Sequence, residues 1–237
     1  MRKKILISGG SGKFARQLMI SGSEEFNIMA PTRREMDIRS PREIYSAIVN
    51  FNPDYFIHAA AMTRPMKNHE ISPLKSMKIN IEGTCNIVDA CATTSVKLIY
   101  ISTDYVYPGK RGDYSEKDGV LPFTKYGWSK LGGECATMMY DNSLVLRIAM
   151  CEKPFPHAKA MVDVKKSSIF NDEAAKITLQ LLDEFGIINI GGPNQSIYDF
   201  VKGHQDVESM TRNCADSSMM PDVSMNTDKL NEISRRR

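Results

Sequence analysis

The sequence predicts an α/β fold, in which a doubly wound parallel sheet carries helices on both faces. Short β-rich runs alternate with longer helical patterns along the chain, and a glycine-rich turn follows the first run. This alternation is typical of a parallel sheet, because each connection between parallel strands needs a crossover helix. The 237 residues, 42% of them hydrophobic, are enough for one such sheet and a small additional part.

Six runs of β-branched and other apolar residues predict the strands of this sheet. Two glycines end the first run, Pro31 stops the second, and Gly191, Gly192 and Pro193 follow the last. In chain order, the predicted strands cover residues 4–8, 26–30, 55–58, 97–102, 144–148 and 187–190.

Helical patterns fill the intervals between these strands. The second helix has the clearest start, because Ser40 is a favourable cap, Pro41 suits the first turn and Glu43 completes a capping box. A Ser-Pro pair opens a longer helix in the same way. In chain order, the predicted helices cover residues 12–20, 40–50, 72–94, 126–140 and 171–184.

The rest of the chain suggests a second, smaller part. Residues 151–170 and the chain after residue 205 show weak periodicity and are interpreted as excursions from the sheet. We therefore predict a main domain over residues 1–150 that carries the glycine-rich turn. Residues 151–237 are predicted to form a small part that adds a further strand and helices to the same compact unit.

Composition excludes several classes of protein. A formal net charge of +3 with scattered basic residues gives no argument for nucleic acid. Five cysteines without a Cys-x-x-Cys pair predict neither a disulfide framework nor a zinc site, and they fit a reducing compartment. No apolar run approaches the roughly 18 residues that cross a bilayer. We expect a cytoplasmic protein that binds no membrane and no metal.

The glycine-rich turn after the first strand predicts a nucleotide site. It can be read as Gly-x-x-Gly-x-x-Ala from Gly9 to Ala15, or as Gly-x-Gly-x-x-Ala from Gly10. In either reading, glycine lets the backbone approach a pyrophosphate, a small residue at 15 lets helix and strand pack closely, and the helix N-terminus offers free N–H groups. This is the arrangement of a Rossmann-type fold.

The end of the second strand bears on the choice of nicotinamide cofactor. An acid usually stands there to hold the ribose 2′-hydroxyl, but this chain has Arg33 and Arg34 after Pro31 and Thr32. An arginine suits a 2′-phosphate, so the sequence favours NADPH, and NADH stays open. The alternative interpretation is that both arginines only cap a solvated loop.

Three residues predict proton chemistry beside this cofactor. Tyr126 and Lys130 are one helical turn apart and therefore point the same way. An ammonium beside a phenol lowers the phenol's pKa, so Tyr126 is predicted to donate a proton to a developing alkoxide. Thr103, at the end of the fourth strand, is predicted to hydrogen-bond the substrate carbonyl. A surface tyrosine–lysine pair is the plain alternative.

These residues together resemble an extended short-chain dehydrogenase/reductase, and within that superfamily the dTDP-4-dehydrorhamnose reductase family of sugar-nucleotide 4-ketoreductases. The segments that carry the resemblance are residues 7–15, 35–38, 58–63, 80–84, 102–107, 126–134, 189–192, 196–200 and 224–230.

The resemblance implies an NAD(P)H-dependent oxidoreductase of carbohydrate biosynthesis that reduces the 4-keto group of a nucleotide-linked 4-keto-6-deoxy sugar. Its implied catalytic residues are Thr103, Tyr126 and Lys130, with Lys130 also holding the nicotinamide ribose. The implied cofactor-binding residues are Gly9, Gly12, Lys13, Phe14, Arg33, Asp37, Ile38, Ala59, Ala60, Ala61, Thr63, Ser102, Tyr126 and Lys130.

The chain departs from the family pattern in two places. The segment that builds much of the sugar-nucleotide pocket is compressed here to residues 150–168. Tyr105 stands where epimerising relatives have a cysteine, so we predict no epimerase activity. The basic residues of the compressed segment are candidates to neutralise a diphosphate, or else form a solvated basic loop: Lys153, Lys159, Lys165 and Lys166.

Two other functions stay open at this point. An epimerase or dehydratase of the same superfamily would share Tyr126 and Lys130, although such enzymes usually carry an acid pair beside the threonine and here only Asp104 is present. A non-catalytic regulatory subunit would keep the fold. The helices over 72–94 and 126–140 are the usual dimer faces of the superfamily, and they predict a homodimer.

Overall fold

Six parallel strands form the central sheet of the protein, which a computed structural model describes over residues 1–213 and 219–236. Their spatial order is β2–β1–β3–β4–β5–β10. The sheet strands are β1 (Lys4–Ser8), β2 (Asn27–Met29), β3 (Tyr55–His58), β4 (Lys97–Thr103), β5 (Ser143–Ile148) and β10 (Gly186–Ile190). Short strands outside this sheet are β6 (Met150–Cys151), β7 (Lys159–Met161), β8 (Lys165–Lys166), β9 (Ile169–Phe170), β11 (Gln195–Ser196) and β12 (Glu208–Met210).

The helices lie on both faces of this sheet. They are α1 (Lys13–Gly22), α2 (Pro41–Phe51), α3 (Lys67–Ile71), α4 (Pro73–Met77), α5 (Gly83–Thr94), α6 (Lys125–Thr137), α7 (Asn171–Gln180), α8 (Ile197–Lys202) and α9 (Asp228–Arg235). Apolar residues of α1, α7 and α9 form one buried cluster with the sheet, and those of α2 and α5 form a second. Because both faces are covered, β4 and β5 are buried at every position.

The strand order reverses between β1 and β3. The chain runs from β1 to the edge strand β2 and then returns to β3 on the other side of β1. The register brings Ser8 beside His58, and His58 beside Tyr100. In open parallel sheets, a crevice for ligands forms beyond the carboxyl ends of the strands at such a reversal. The predicted Rossmann-type doubly wound sheet is thus confirmed.

The predicted long helix over 72–94 is wrong in its middle. The structure divides it into α4, a π-helical turn (Lys78–Glu82) and α5. The wider turn places Asn80 inward, where its side chain accepts from the Met62 N–H at 2.7 Å and donates to the Met62 carbonyl at 2.9 Å. Those two bonds pair the backbone N–H and carbonyl of Met62 in the loop after β3. The need to place Asn80 there explains the interruption of the helix.

The predicted capping box of α2 is also wrong. In the described part of the chain, the Ser40 side chain makes no bond to the first turn, and the Glu43 carboxylate accepts from the Asp37 N–H at 2.7 Å. Glu43 therefore fixes the loop after β2 and does not close its own helix. This loop is part of the site described below.

Residues beyond 150 form short strand pairs and then return to the sheet. The pairs are β6 with β9, β7 with β12 and β8 with β11. The interpretation of the chain after residue 205 as an excursion is wrong for its last helix, because Leu230 and Ile233 of α9 are buried in the core beside β10. Within residues 1–213 and 219–236, no helix has both the length and the apolar character needed to cross a bilayer.

Candidate active site

Two adjoining clefts lie at the carboxyl ends of the sheet strands. One has a volume of about 610 Å³ and the other about 370 Å³. Gly9, Gly12, Ala59 and Ala61 line both clefts, so the glycine-rich turn divides one continuous groove into two halves. All fourteen residues that the sequence predicts to bind a cofactor line one half or the other.

The geometry of the glycine turn decides between its two readings. Gly9 has a φ of +77°, and a Cβ there would stand 2.9 Å from Ala60 Cα. Gly12 precedes α1, and Ala15 packs beneath it as a buried residue. Gly10 is absent from the residues lining the two halves, and its close neighbour is the backbone of Ala30. The Gly9–Gly12–Ala15 reading therefore describes the groove, whereas Gly10 serves packing against β2.

Buried polar groups hold the turn and the end of β3 together. The His58 ring bonds Ser8 Oγ at 2.9 Å and Thr84 Oγ1 at 3.0 Å. Ser8 Oγ also accepts from the Ala60 N–H at 3.1 Å. Burial holds the pKa of His58 well below its usual value, with repulsion from Lys130 adding to the effect. His58 is therefore a neutral structural residue below the groove.

The smaller half of the groove contains an acid between two arginines. The Asp37 carboxylate accepts from Arg39 Nε at 3.0 Å and from Arg33 Nε at 3.4 Å. Hydrogen bonds from Arg39 hold the pKa of Asp37 well below its usual range. Arg33 therefore lines the groove as the sequence predicts. Arg39 was missed, because the prediction considered only the arginines directly after β2.

Thr103 and Tyr126 meet in the larger half of the groove. Thr103 is the last residue of β4, and Tyr126 lies in the first turn of α6, which Thr124 caps by accepting from the Gly127 N–H. Burial raises the pKa of Tyr126 to about 12, although a hydrogen bond with Thr103 opposes this rise. Both side chains line this half of the groove, where proton transfer to a carbonyl oxygen would use them.

The Lys166 ammonium also opposes the rise in the pKa of Tyr126, but its effect is small beside that of burial, and Lys130 is not among the main causes. Burial lowers the pKa of Lys130 to about 7, so its amine carries only part of a charge at neutral pH. Lys130 Nζ lies 4.1 Å from the ring centroid of Tyr100. Lys130 nevertheless lines the same groove as Tyr126.

A buried ion pair supports this half of the groove from below. Arg147 of β5 contacts Glu134 of α6 at 2.8 Å, and Arg147 also donates to Tyr107 at 2.9 Å. Ser102 Oγ donates to the same Glu134 carboxylate. The Ser102 hydroxyl, predicted to bind cofactor, is therefore used inside the protein. Glu134 is one turn beyond Lys130 on α6, and its carboxylate joins that helix to β5 through Arg147 and to β4 through Ser102.

The ring of His69, on α3, packs against the ring of Tyr126. Its ring stands edge-on to the Tyr126 ring with centroids 5.1 Å apart. Its two nitrogens contact Ser76 Oγ at 2.7 Å and the Thr63 carbonyl at 2.8 Å. His69 thereby connects Thr63, a predicted groove residue, to Tyr126. Sequence reasoning missed His69 because the short helix α3 was not predicted.

Charged residues from the compressed segment also reach the groove. Lys13 contacts Glu152 at 2.5 Å, and Arg64 contacts the same carboxylate at 3.7 Å. Lys166 is paired with Asp104 at 2.8 Å. Its charge is thus engaged inside the protein, and the predicted role of neutralising a diphosphate is not supported for it. Lys153 and Lys159 pair with Asp172 and Glu208 outside the groove, and Lys165 is exposed outside it, so the predicted diphosphate role is not supported for these three lysines either.

Comparison with known proteins identifies the family. The profile of the RmlD substrate binding domain matches residues 2–165 of the chain. The chain belongs to this family. The resemblance found in the sequence is thus confirmed, and the matched range contains every residue that we predict to act in catalysis or cofactor binding.

Individual relatives of this RmlD-family protein have two kinds of name. A dTDP-4-dehydrorhamnose reductase of Aggregatibacter actinomycetemcomitans is 30% identical over 148 residues, which are 61% of this chain and 50% of the relative. The methionine adenosyltransferase 2 subunit beta of Bos taurus is 30% identical over 159 residues, which are 62% of this chain and 46% of the relative. The chain thus matches about half the length of these curated relatives.

A solved structure confirms the fold over nearly the whole chain. The dTDP-4-dehydrorhamnose reductase of Bacillus anthracis, in complex with NADP, has a TM-score of 0.85 and 20% identity. The match covers 98% of this chain and 92% of the other. The similarity therefore includes residues beyond 165, where the family profile ends.

Proposed function

We propose that this RmlD-family protein is an NADPH-dependent oxidoreductase that reduces the 4-keto group of a nucleotide-linked 4-keto-6-deoxy sugar. The observation that carries the proposal is the groove itself. Its walls bring Thr103, Tyr126 and Lys130 together with the glycine-rich turn. The names of the dTDP-4-dehydrorhamnose reductases among the relatives support the class of substrate.

The residues of the groove fit a dinucleotide. A side chain at Gly9, where φ is positive, would meet the backbone of Ala60, and one at Gly12 would stand only 3.0 Å from the Gly9 carbonyl, so both glycines help to keep this backbone open. The N-terminus of α1 directly after Gly12 offers its N–H groups to phosphates. Lys13 and Phe14 would contact the phosphates, Asp37 and Ile38 would lie along the adenine, and the remaining cofactor-binding residues would line the two halves as predicted.

The proton donor in this proposal is Tyr126. The reduced nicotinamide, when bound, supplies the hydride. Tyr126 gives its hydroxyl proton to the oxygen of the ketone. The Thr103 hydroxyl, which donates to Asp104 Oδ1 at 3.0 Å, can rotate to donate to that oxygen instead. Lys130 would hold the nicotinamide ribose.

The choice of NADPH rests on the two arginines beside Asp37. We expect the double variant Arg33→Ala/Arg39→Ala to lose affinity for NADPH by about 100-fold or more, because each of the two charge-assisted hydrogen bonds contributes roughly 1.5–3 kcal/mol. Affinity for NADH, which lacks the 2′-phosphate, should change little. Calorimetry with both cofactors measures this difference. Arg34→Ala is the matched control, since Arg34 is absent from the residues lining the groove, and equal losses for both cofactors would contradict the assignment.

The test of the proposed function is turnover. The protein is mixed with NADPH and a freshly generated dTDP-4-keto-6-deoxy sugar or its UDP analogue, and the loss of reduced-nicotinamide absorbance is followed. Turnover with either sugar supports the reductase function, and the relative rates show whether the protein prefers the dTDP or the UDP sugar. Cofactor binding without turnover would favour a regulatory subunit, as the methionine adenosyltransferase relatives suggest, and would point to the compressed 150–168 segment as the cause.

The part beyond residue 150 is proposed to shape the sugar-nucleotide pocket, with the dinucleotide-binding domain over residues 1–150. Cys151, Glu152, Lys166 and Asn171 reach the groove from this part. Asn171 is buried, and within the described residues its Oδ1 has no hydrogen-bond partner.

We also propose a cytoplasmic location.

A homodimer is proposed from the outer faces of the helices that flank the groove. Leu74 of α4 and Trp128 of α6 are 68% and 49% exposed although α4 and α6 pack together. Burial of such apolar surface between two copies would stabilise a dimer. Light scattering after size exclusion tests this prediction. A clean monomer at micromolar concentration would contradict it, and Trp128→Glu should convert a dimer to monomers.

A further inference from the structure

A buried ion pair forms part of the groove wall beside the reacting groups. Lys166 Nζ lies 2.8 Å from Asp104 Oδ2, and the two side chains are only 14% and 2% exposed. Asp104 directly follows β4, whereas Lys166 belongs to β8 in the compressed segment. The fold therefore brings a lysine from the C-terminal part of the chain to the catalytic end of the sheet.

This ion pair contacts the Thr103 hydroxyl directly and the Tyr126 ring through Tyr105. Thr103 Oγ1 donates to Asp104 Oδ1 at 3.0 Å. Lys166 Nζ lies 4.6 Å from the ring centroid of Tyr105, and the Tyr105 ring stands edge-on to the Tyr126 ring at 5.9 Å. All five residues line the larger half of the groove. Lys166 and Tyr126 therefore line the same half of the groove, with the Tyr105 ring in contact with both.

The charge of Lys166 persists because Asp104 and Tyr105 raise its pKa above the usual value, against burial and the repulsion of Arg64. Burial, Asp104 and Tyr105 raise the pKa of Tyr126, and the Lys166 ammonium lowers it by a smaller amount. Other titratable and charged groups near this corner include His69 against the Tyr126 ring, Lys130 on the same helix, Tyr100, which interacts with Tyr126, and the Cys151 thiol near Lys166. Arg64 and Glu152 line the same half of the groove.

We propose that Lys166 is a positioning residue for proton donation, and that its ammonium, fixed by Asp104, stabilises the phenolate formed at Tyr126. The inference rests on the reductase function proposed above. In that reaction the Tyr126 O–H bond breaks and an O–H bond forms on the former ketone oxygen, while hydride from the reduced nicotinamide forms the new C–H bond. The ketone is reduced, NADPH is oxidised, and the negative charge left on Tyr126 faces Lys166.

The first test needs no turnover. Tyrosines are replaced by the more acidic 3-fluorotyrosine, and the Tyr126 signal is assigned with Tyr126→Phe and followed against pH by fluorine NMR. Lys166→Gln keeps a hydrogen-bond donor for Asp104 but removes the charge, so the Tyr126 midpoint should rise by about one pH unit. Lys166→Arg should keep the wild-type midpoint. Lys165→Gln, an exposed neighbour on the same strand, is the matched control. An unchanged midpoint in Lys166→Gln would overturn the inference.

The second test uses the reverse reaction, oxidation of the alcohol, because it needs Tyr126 as the phenolate. Below the pKa of Tyr126, its rate rises with pH. A higher pKa in Lys166→Gln should therefore lower the rate about tenfold at a fixed pH and move the rise to higher pH. Lys166→Arg and Lys165→Gln should follow the wild type. An unchanged profile in Lys166→Gln would overturn the inference and leave the reductase intact. If the wild type showed no turnover, the proposed reductase function would be wrong, and the fluorine titration would still decide whether Lys166 acts on Tyr126.

Discussion

Replacing Tyr126 by phenylalanine is expected to lower the rate of ketone reduction by about 10³-fold, since a positioned general acid contributes roughly 10² to 10⁴. The substitution removes the hydroxyl that meets Thr103 and keeps the ring that packs against His69. Cofactor affinity, measured by calorimetry, should therefore stay near the wild-type value. Steady-state kinetics with NADPH and the keto sugar gives kcat and KM separately, and the loss should fall on kcat.

A second variant, which removes the hydroxyl group of a tyrosine outside the groove, serves as the control. Tyr45→Phe changes an exposed residue of α2 that lies outside the groove, and it should keep the wild-type kcat. If Tyr126→Phe also kept the wild-type kcat, the proton would have to come from another donor, and the proposed chemistry would be wrong.

Breaking the ion pair between Glu134 and Arg147 is expected to have the largest effect on stability. Arg147 makes three contacts with the carboxylate at 2.8–3.2 Å, and both side chains are at most 4% exposed. Arg147→Met leaves a buried carboxylate without its cation, which costs about 3–5 kcal/mol of the free energy of unfolding. Urea denaturation measures this loss.

Two further variants separate the effect of an unpaired buried charge on stability from the effect of losing an ion pair as such. The double variant Arg147→Met/Glu134→Leu should recover part of the stability, because no charge remains unpaired. Lys202→Met breaks an ion pair of the same 2.8 Å length with Asp206, but this pair is on the surface, where water screens it. Lys202→Met should give no resolvable change. Equal losses in the buried and the surface variant would contradict the account.

The sheet and its glycine-rich turn could be predicted from sequence because their signals are local. The strands Lys4–Ser8 and Tyr55–His58 are short apolar runs with clear stops, and the structure has them at the predicted residues. Tyr126 and Lys130 are one turn apart on one helix, so their presence at one groove follows from helix geometry. The family resemblance covers the same segments.

The electrostatics of the site could not be predicted in this way because they depend on contacts between distant segments. Lys166 and Asp104 are far apart in sequence, and nothing near either residue indicates their pairing. Lys130 was expected to act on Tyr126 as a full charge, but its burial depends on the packing of α6 on the sheet. The break in the predicted long helix similarly depends on Asn80 binding the loop after β3.

The central claim is hydride transfer to a sugar ketone with Tyr126 as the proton donor, and isotope transfer tests it most directly. The protein is incubated with NADPH that carries deuterium at the transferred position and with the dTDP-4-keto-6-deoxy sugar, and the product is analysed by mass spectrometry. The account predicts one deuterium on the carbon of the new alcohol, with formation reduced about 10³-fold in Tyr126→Phe. An unlabelled product, or no product from a protein that binds NADPH, would contradict it.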